Sequence, residues 1–154
     1  MLEIKWTIVQ PDDYFFFTIY ANSRKAEMSS WGWTKEEQRD FLLMQHQCQQ
    51  RSYQMQYSNL ESRIIFFENT PAGRILLAKT GTQTVLVDIS LLAEFQHKGI
   101  GSALLKELQG EIKAGESLRL AVLKTNRARG LYERLGFQIH EVGEIYLTMV
   151  WHKS

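Results

Sequence analysis

Residues 96–105 read Gln-His-Lys-Gly-Ile-Gly-Ser-Ala-Leu-Leu. They stand where an apolar run, Thr84 to Leu92, gives way to the helical spacing of Ile100, Leu104, Leu108 and Ile112. A helix start leaves backbone N–H groups unpaired and carries the positive end of the helix dipole. Glycines there remove the Cβ atoms that would keep an anion at a distance. The chemistry of such a segment is phosphate or pyrophosphate binding. It is not a Walker loop, because no Gly-Lys-Ser/Thr follows four residues after a first glycine, and Gly99-x-Gly101 alone is not the dinucleotide fingerprint. Taken by itself, Gly-x-Gly also suits a tight strand-to-helix connection with no ligand. The run before it holds a second chemical candidate: Asp88 and Ser90 alternate on one face, and an acid inside an otherwise apolar strand is costly unless partnered. Asp88 is either reactive or the structural partner of a backbone group or an arginine.

The elements that must position these residues follow from periodicity and punctuation. Leu2 to Val9 alternates β-branched and aromatic residues as a strand, and Pro11-Asp12-Asp13 starts a helix that ends near Glu27, before a Ser29-Ser30-Trp31-Gly32-Trp33 loop. Thr34 with Glu37 is a capping box, so a second helix runs from there to about Tyr57. Its Phe41, Met44, Cys48 and Met55 share one face, and glutamines interleave through the rest. Arg63 to Phe67 and Arg74 to Lys79 form a hairpin around the turn cluster Asn69 to Gly73, and Gly81 turns the chain into Thr84 to Leu92, a strand expected to be buried on both faces. A helix from Gly99 to Gly115, a strand at Leu118 to Leu123, a short helix at Asn126 to Leu135 and strands at Phe137 to Glu141 and Ile145 to Trp151 complete the chain. The result is a mixed α/β domain with seven strands and four helices.

A second segment, Asn126-Arg127-Ala128-Arg129-Gly130-Leu131-Tyr132-Glu133-Arg134-Leu135-Gly136-Phe137, lies one helix and one strand after the first. Together the two resemble the GCN5-related N-acetyltransferase (GNAT) family. Gln96-x-x-Gly99-x-Gly101 matches its acyl-CoA signature, Gln/Arg-x-x-Gly-x-Gly/Ala, and the second segment is similar to its Asn-x-Ala-x-x-Leu-Tyr-Glu-x-x-Gly-Phe stretch. The match runs from about Val85 to His140 and is topological before that. Where the family often has proline, this chain has Ala93 and Arg127. Neither departure touches a side chain that contacts ligand.

The resemblance implies a GNAT-like, mostly antiparallel sheet of about seven strands flanked by about four helices, with residues 1–154 as one N-acetyltransferase domain. It implies acetyl-CoA as acetyl donor, with no metal, and direct transfer to an unidentified amine acceptor. Backbone N–H groups of His97, Lys98, Gly99, Ile100, Gly101 and Ser102 would hold the pyrophosphate, next to Gln96. A bulge near Ile89, Ser90 and Leu91 would splay the fourth strand from the fifth and let the pantetheine arm pair there. Tyr132 would protonate the leaving thiolate, since a phenol with a pKa of about 10 stays protonated at neutral pH; the plain alternative is a packed aromatic. Asn126 would hydrogen-bond the cofactor arm or tie strand to helix. Asp88, or else Glu144, is the candidate base for the amine. The competing reading is a CoA-binding sensor or interaction module with the same fold and no turnover. Longer acyl groups and alcohol acceptors are further variants.

Composition sets limits on the rest. The chain has 154 residues, 44% hydrophobic and 23% charged, and 18 Lys+Arg against 17 Asp+Glu leave a net charge of +1. That argues against disorder and against nucleic acid or an anionic membrane held by bulk charge. Cys48, the single cysteine, forms no internal disulfide, and its helical company marks it as a small core residue. His46, His97, His140 and His152 have no metal-ligand spacing. No signal segment or membrane span is apparent, so a cytoplasmic location is expected. Lys98 and Lys124 near the cofactor would suit its 3′-phosphate but are ordinary surface residues. Trp31 and Trp33 fit a substrate lid or a core plug equally. The apolar stretch Thr148 to Trp151 raises the expectation of a homodimer, although a monomer's own core would cover it as well.

Overall fold

The structure is a computed structural model. It describes residues 3–10, 13–28 and 31–154, excepting the side chains of residues 26 and 27. Leu2, the expected Pro11-Asp12 helix start and the Ser29-Ser30 part of the loop lie outside the described residues. The described chain runs β1 (Ile4–Val9), α1 (Tyr14–Met28), α2 (Lys35–Gln56), β2 (Leu60–Phe67), β3 (Thr70–Thr80), β4 (Gln83–Leu91), a 3-10 turn (Ala93–Phe95), α3 (Ile100–Glu111), β5 (Ser117–Leu123), α4 (Ala128–Arg134), β6 (Gln138–Val142) and β7 (Tyr146–His152). One sheet has the order β1-β2-β3-β4-β5-β7-β6. Every pairing in it is antiparallel except β4 with β5.

Local chemistry accounts for the element ends. Asp13 Oδ1 accepts the Phe15 N–H at 2.9 Å and caps α1. At α2 both halves of the capping box form, Glu37 N–H to Thr34 Oγ1 at 3.1 Å and Thr34 N–H to Glu37 Oε1 at 2.9 Å. The hairpin turn differs from the expected Asn69–Gly73 cluster. Glu68 (φ 50°) and Asn69 (φ 68°) are both left-handed and close a two-residue turn whose twist matches the flanking strands; Thr70 to Gly73 belong to β3. Helix α3 stops at Glu111, short of Gly115.

Side-chain alternation puts helices on both faces of the sheet. Ile65 and Leu77 pack with Leu104, Leu105 and Leu108 of α3 and with Tyr132 of α4, whereas their neighbours Ile64 and Leu76 pack with Phe16 of α1. The C-terminal residues behind the homodimer expectation are covered by the same chain, Met149 completely and Val150 nearly so. They lend that expectation no support.

The face of α2 that packs is not the expected one. Leu42 and His46 are buried, Phe41 is half-buried, and Met44, Cys48 and Met55 are exposed, Met55 at 88%. Cys48 is therefore not a core residue. The buried stripe mixes apolar with polar groups: Tyr20 donates to Gln45 Oε1 at 3.3 Å and Arg74 to Gln49 Oε1 at 3.1 Å. A search for apolar periodicity passes over such a stripe.

His46 lies between the rings of Phe17 and Tyr20, with centroids 5.8 and 5.4 Å away, and its Nδ1 has no hydrogen-bond partner among the described residues. Burial first, and the Arg74 charge second, hold its pKa below the ordinary 6.5. Above that value the imidazole is neutral whether folded or unfolded. Below it the unfolded chain takes up a proton that the folded chain refuses, so stability is lost as pH falls. His46→Leu should reduce the drop in melting temperature between about pH 7.5 and about pH 5.5. An undiminished drop in that variant would assign the acid sensitivity to other groups.

Candidate active site

Strands β4 and β5 are parallel and pair only from Gln83 with Ser117 to Leu86 with Leu120. Beyond that point β4 continues on β3 to Leu91, and β5 continues on β7 to Leu123. Their facing edges have no ladder partner among the described residues, and a slot opens between them. The burial expected on both faces of β4 therefore stops early: Val85 and Leu86 are buried, and Val87 to Leu91 are half-buried.

The bulge sits two residues before its expected place at Ile89 to Leu91. Leu76 pairs with Asp88 but Leu77 with Leu86, which leaves Val87 as the extra residue of β4. An extra residue bends its strand, and β4 parts from β5 at this bend. Further along, β3 and β4 approach so closely that a Cβ on Gly73 would lie 2.2 Å from the Ser90 carbonyl oxygen. Only glycine fits there. Ile89, Ser90 and Leu91 thus run beside the slot on a firmly held strand.

The loop from β4 to α3 is pinned at several points. Leu92 N–H donates to Ala72 O at 2.8 Å, Ala93 N–H to Asn22 Oδ1 of α1 at 3.2 Å, and Gln96 Nε2 to Leu91 O at 3.0 Å. Gln96 thus braces the loop through its side chain, a role its motif position does not reveal. His97 (φ 61°) and Gly99 (φ 80°) are left-handed, and Gly99 caps α3. The first bond of that helix is Ala103 N–H to Gly99 O at 3.1 Å, which leaves the N–H groups of Ile100, Gly101 and Ser102 without helical acceptors. Beyond its chain neighbours and its own helix backbone, a Cβ on Gly101 would meet no atom of the described residues within 4 Å. Packing against the rest of the described chain does not require a glycine at this position. Lys98 in this loop and Lys124 just after β5 are both exposed.

Helix α4 holds Tyr132, 9% exposed, with its ring edge-on to Phe137 at 5.9 Å. Among the described residues its hydroxyl has no hydrogen-bond partner. Burial, and then the negative charge of Asp88, raise its pKa above the ordinary 10, so the phenol stays protonated at neutral pH. Asn126 Oδ1 accepts the Ala128 N–H at 2.8 Å and ties the end of β5 to α4. Asp88 Oδ2 accepts from Arg74 Nε at 2.8 Å and from Ser90 Oγ at 2.9 Å. Asp88 therefore has the arginine partner that an acid in an apolar strand requires. Glu144 lies in the exposed β6–β7 turn, apart from this network.

Arg74, Gln49 and Tyr53 are site neighbours that the motifs do not contain. Burial, followed by Asp88, raises the Tyr53 pKa, so two phenols and one arginine surround the same carboxylate. A lone arginine in one apolar strand and a lone aspartate in the next are the signal for the Arg74–Asp88 pair. Trp31 and Trp33 stack edge-on with each other and with Phe41, half-exposed at 44% and 39%.

The family model of the acetyltransferase (GNAT) domain matches residues 60–139, which include the slot, the α3 start and Tyr132. The search of curated proteins gives no match. Among solved structures, the PaiA N-acetyltransferase of Thermoplasma acidophilum in complex with coenzyme A is 19% identical with a TM-score of 0.67, over 99% of each chain. Campylobacter jejuni N-acetyltransferase PseH in complex with acetyl coenzyme A is 20% identical with a TM-score of 0.62, over 99% of this chain and 100% of that one. The ribosomal-protein-S18-alanine N-acetyltransferase of Escherichia coli is 18% identical with a TM-score of 0.63, over 96% of this chain and 92% of that one. At these identities the likeness is one of fold. The match over residues 60–139 goes further: this chain belongs to the GNAT acetyltransferase family.

Proposed function

We propose that the chain is an acetyl-CoA-dependent N-acetyltransferase that holds donor and acceptor together and transfers acetyl directly to an amine. The observation that carries this reading is the α3 start. Three N–H groups without an acceptor among the described residues stand at a positive helix end, next to a glycine whose Cβ would meet open space, which suits a pyrophosphate. Acetyl-CoA supplies an activated thioester when bound. In this reading N–H groups from His97 to Ser102 hold its diphosphate, the free edge at Ile89, Ser90 and Leu91 takes the pantetheine arm in the manner of an added strand, and Asn126 holds the β5 end in place beside it. Tyr132 donates a proton to the departing sulfur. Asp88 keeps its candidacy as base for the amine through Oδ1, because both of its described hydrogen bonds use Oδ2. A binding module without turnover has no use for a buried, protonated phenol that has no hydrogen-bond partner among the described residues. A cytoplasmic location belongs to the same reading, in keeping with one exposed free thiol.

The test is Gly101→Val. The Cβ of the new side chain meets open space beside the donors, so the melting temperature should hold while acetyl-CoA affinity falls. Loss of one hydrogen bond to a charged group, about 1.5–3 kcal/mol, corresponds to about tenfold or more. Calorimetry on the folded variant checks this, and unchanged affinity would remove the basis of the reading. Thiol release from acetyl-CoA in the presence of amine, peptide and aminoglycoside pools then identifies the acceptor class.

A further inference from the structure

The crevice between α1 and α2 is a concave site lined by none of the residues of the β4–β5 slot. It encloses about 420 Å³, within the range of small-molecule sites, roughly 300–1,000 Å³. Its floor is apolar. Phe17, Met28 and Leu42 are buried members of the cluster that joins the two helices, and all three line the crevice. Its rim is cationic, with Lys25 from α1 and Lys35 and Arg39 from α2. None of the described lining residues is acidic, and none of these three cations forms an ion pair with a described residue. Like charges around one cavity repel one another until an anion enters. The floor beneath them favours an anion with a hydrocarbon body.

We propose that this groove binds a small amphipathic anion, with its hydrocarbon on Phe17, Met28 and Leu42 and its carboxylate or phosphate head among Lys25, Lys35 and Arg39. The same charges repel a cationic amine, so the groove is a ligand site separate from the one that takes the acceptor. It also has a mechanical link to the donor loop. Asn22, which lines the groove, accepts the Ala93 N–H at the start of the turn leading to Gly99, so a ligand there bears on a residue that anchors the β4–α3 loop.

The test is titration of the whole chain with octanoate and octyl phosphate, against octanol and octylammonium of equal chain length, followed by calorimetry and by amide chemical shifts. Saturable binding of either anion is expected, with the stronger one identifying the head group, and with octanol and octylammonium weaker by about tenfold or more. The double variant Lys25→Gln/Arg39→Gln changes two exposed residues and should weaken the anions by about tenfold while retaining its melting temperature. Thr18→Trp, at an exposed lining residue, should block the groove. Saturating coenzyme A should leave octanoate bound. Equal binding of octanol or octylammonium would overturn the proposal, as would displacement by coenzyme A, insensitivity to the double variant, or binding only to vesicles of anionic lipid. None of these arms depends on acetyl transfer, so the proposal fails separately from the transferase reading.

Discussion

Tyr132→Phe is expected to lower kcat by about 10²–10⁴ while acetyl-CoA affinity changes by no more than about twofold. The hydroxyl has no hydrogen-bond partner among the described residues, so its removal orphans no buried group, and the ring keeps its edge-on contact with Phe137. The fold therefore has little reason to respond. A proton delivered to a departing thiolate, by contrast, matters only as charge develops on sulfur. An effect confined to the transition state appears in kcat and spares binding. Because burial and Asp88 raise the Tyr132 pKa above 10, the acid form persists across the neutral range, and the loss of rate from its ionisation should fall above that value. The measurement is turnover with the true acceptor or a surrogate amine, where chemistry limits the rate. Wild-type turnover in the Phe variant would return Tyr132 to a packing role.

Asp88→Ala is expected to cost about 3–5 kcal/mol of unfolding free energy, because it strands the Arg74 guanidinium in a buried position. The Arg74 side chain is 4% exposed and that of Asp88 is 23% exposed, so the value belongs toward the lower end of that range. Asp88→Asn keeps a carbonyl acceptor for Arg74 Nε and Ser90 Oγ and should cost markedly less. Urea unfolding of both variants checks the pair, and an Ala variant as stable as the parent would show that Arg74 does not depend on Asp88. The Asn variant also separates two roles. If Asp88 serves only as the acceptor that holds Arg74 and Ser90 in place, a folded Asn variant transfers acetyl at close to the parental rate. If Asp88 takes the amine proton, turnover collapses while the melting temperature holds.

The two segments that carry the family resemblance are legible because their work is local. Free N–H groups at a helix start, a glycine without Cβ and a capping box each need only a few consecutive residues. Helix α2 starts at the expected residue for that reason, and the seven strands and four helices fall in the expected order. Features that depend on a partner far along the chain were less legible. The position of the β4 bulge is set by register against β3, and moving it from Ile89–Leu91 to Val87 changes no residue type. The packed face of α2 departs from apolar periodicity because it carries Gln45, Gln49 and His46, which hydrogen bonds and ring contacts with α1 and β3 make acceptable in the interior.

By itself the sequence determined the element order, the glycine-bearing helix start at Gly99 to Ser102 and, through the resemblance, the candidacy of Tyr132. These follow from side-chain types at fixed short spacings. Only the tertiary structure decided that β4 and β5 part after Leu86, that Arg74 takes Asp88 as its partner, that Gln96 braces its own loop, and that three cations surround an apolar groove between α1 and α2. Each of these brings together residues from separate elements. Their energies depend on distance and burial, quantities that exist only once the chain has closed on itself.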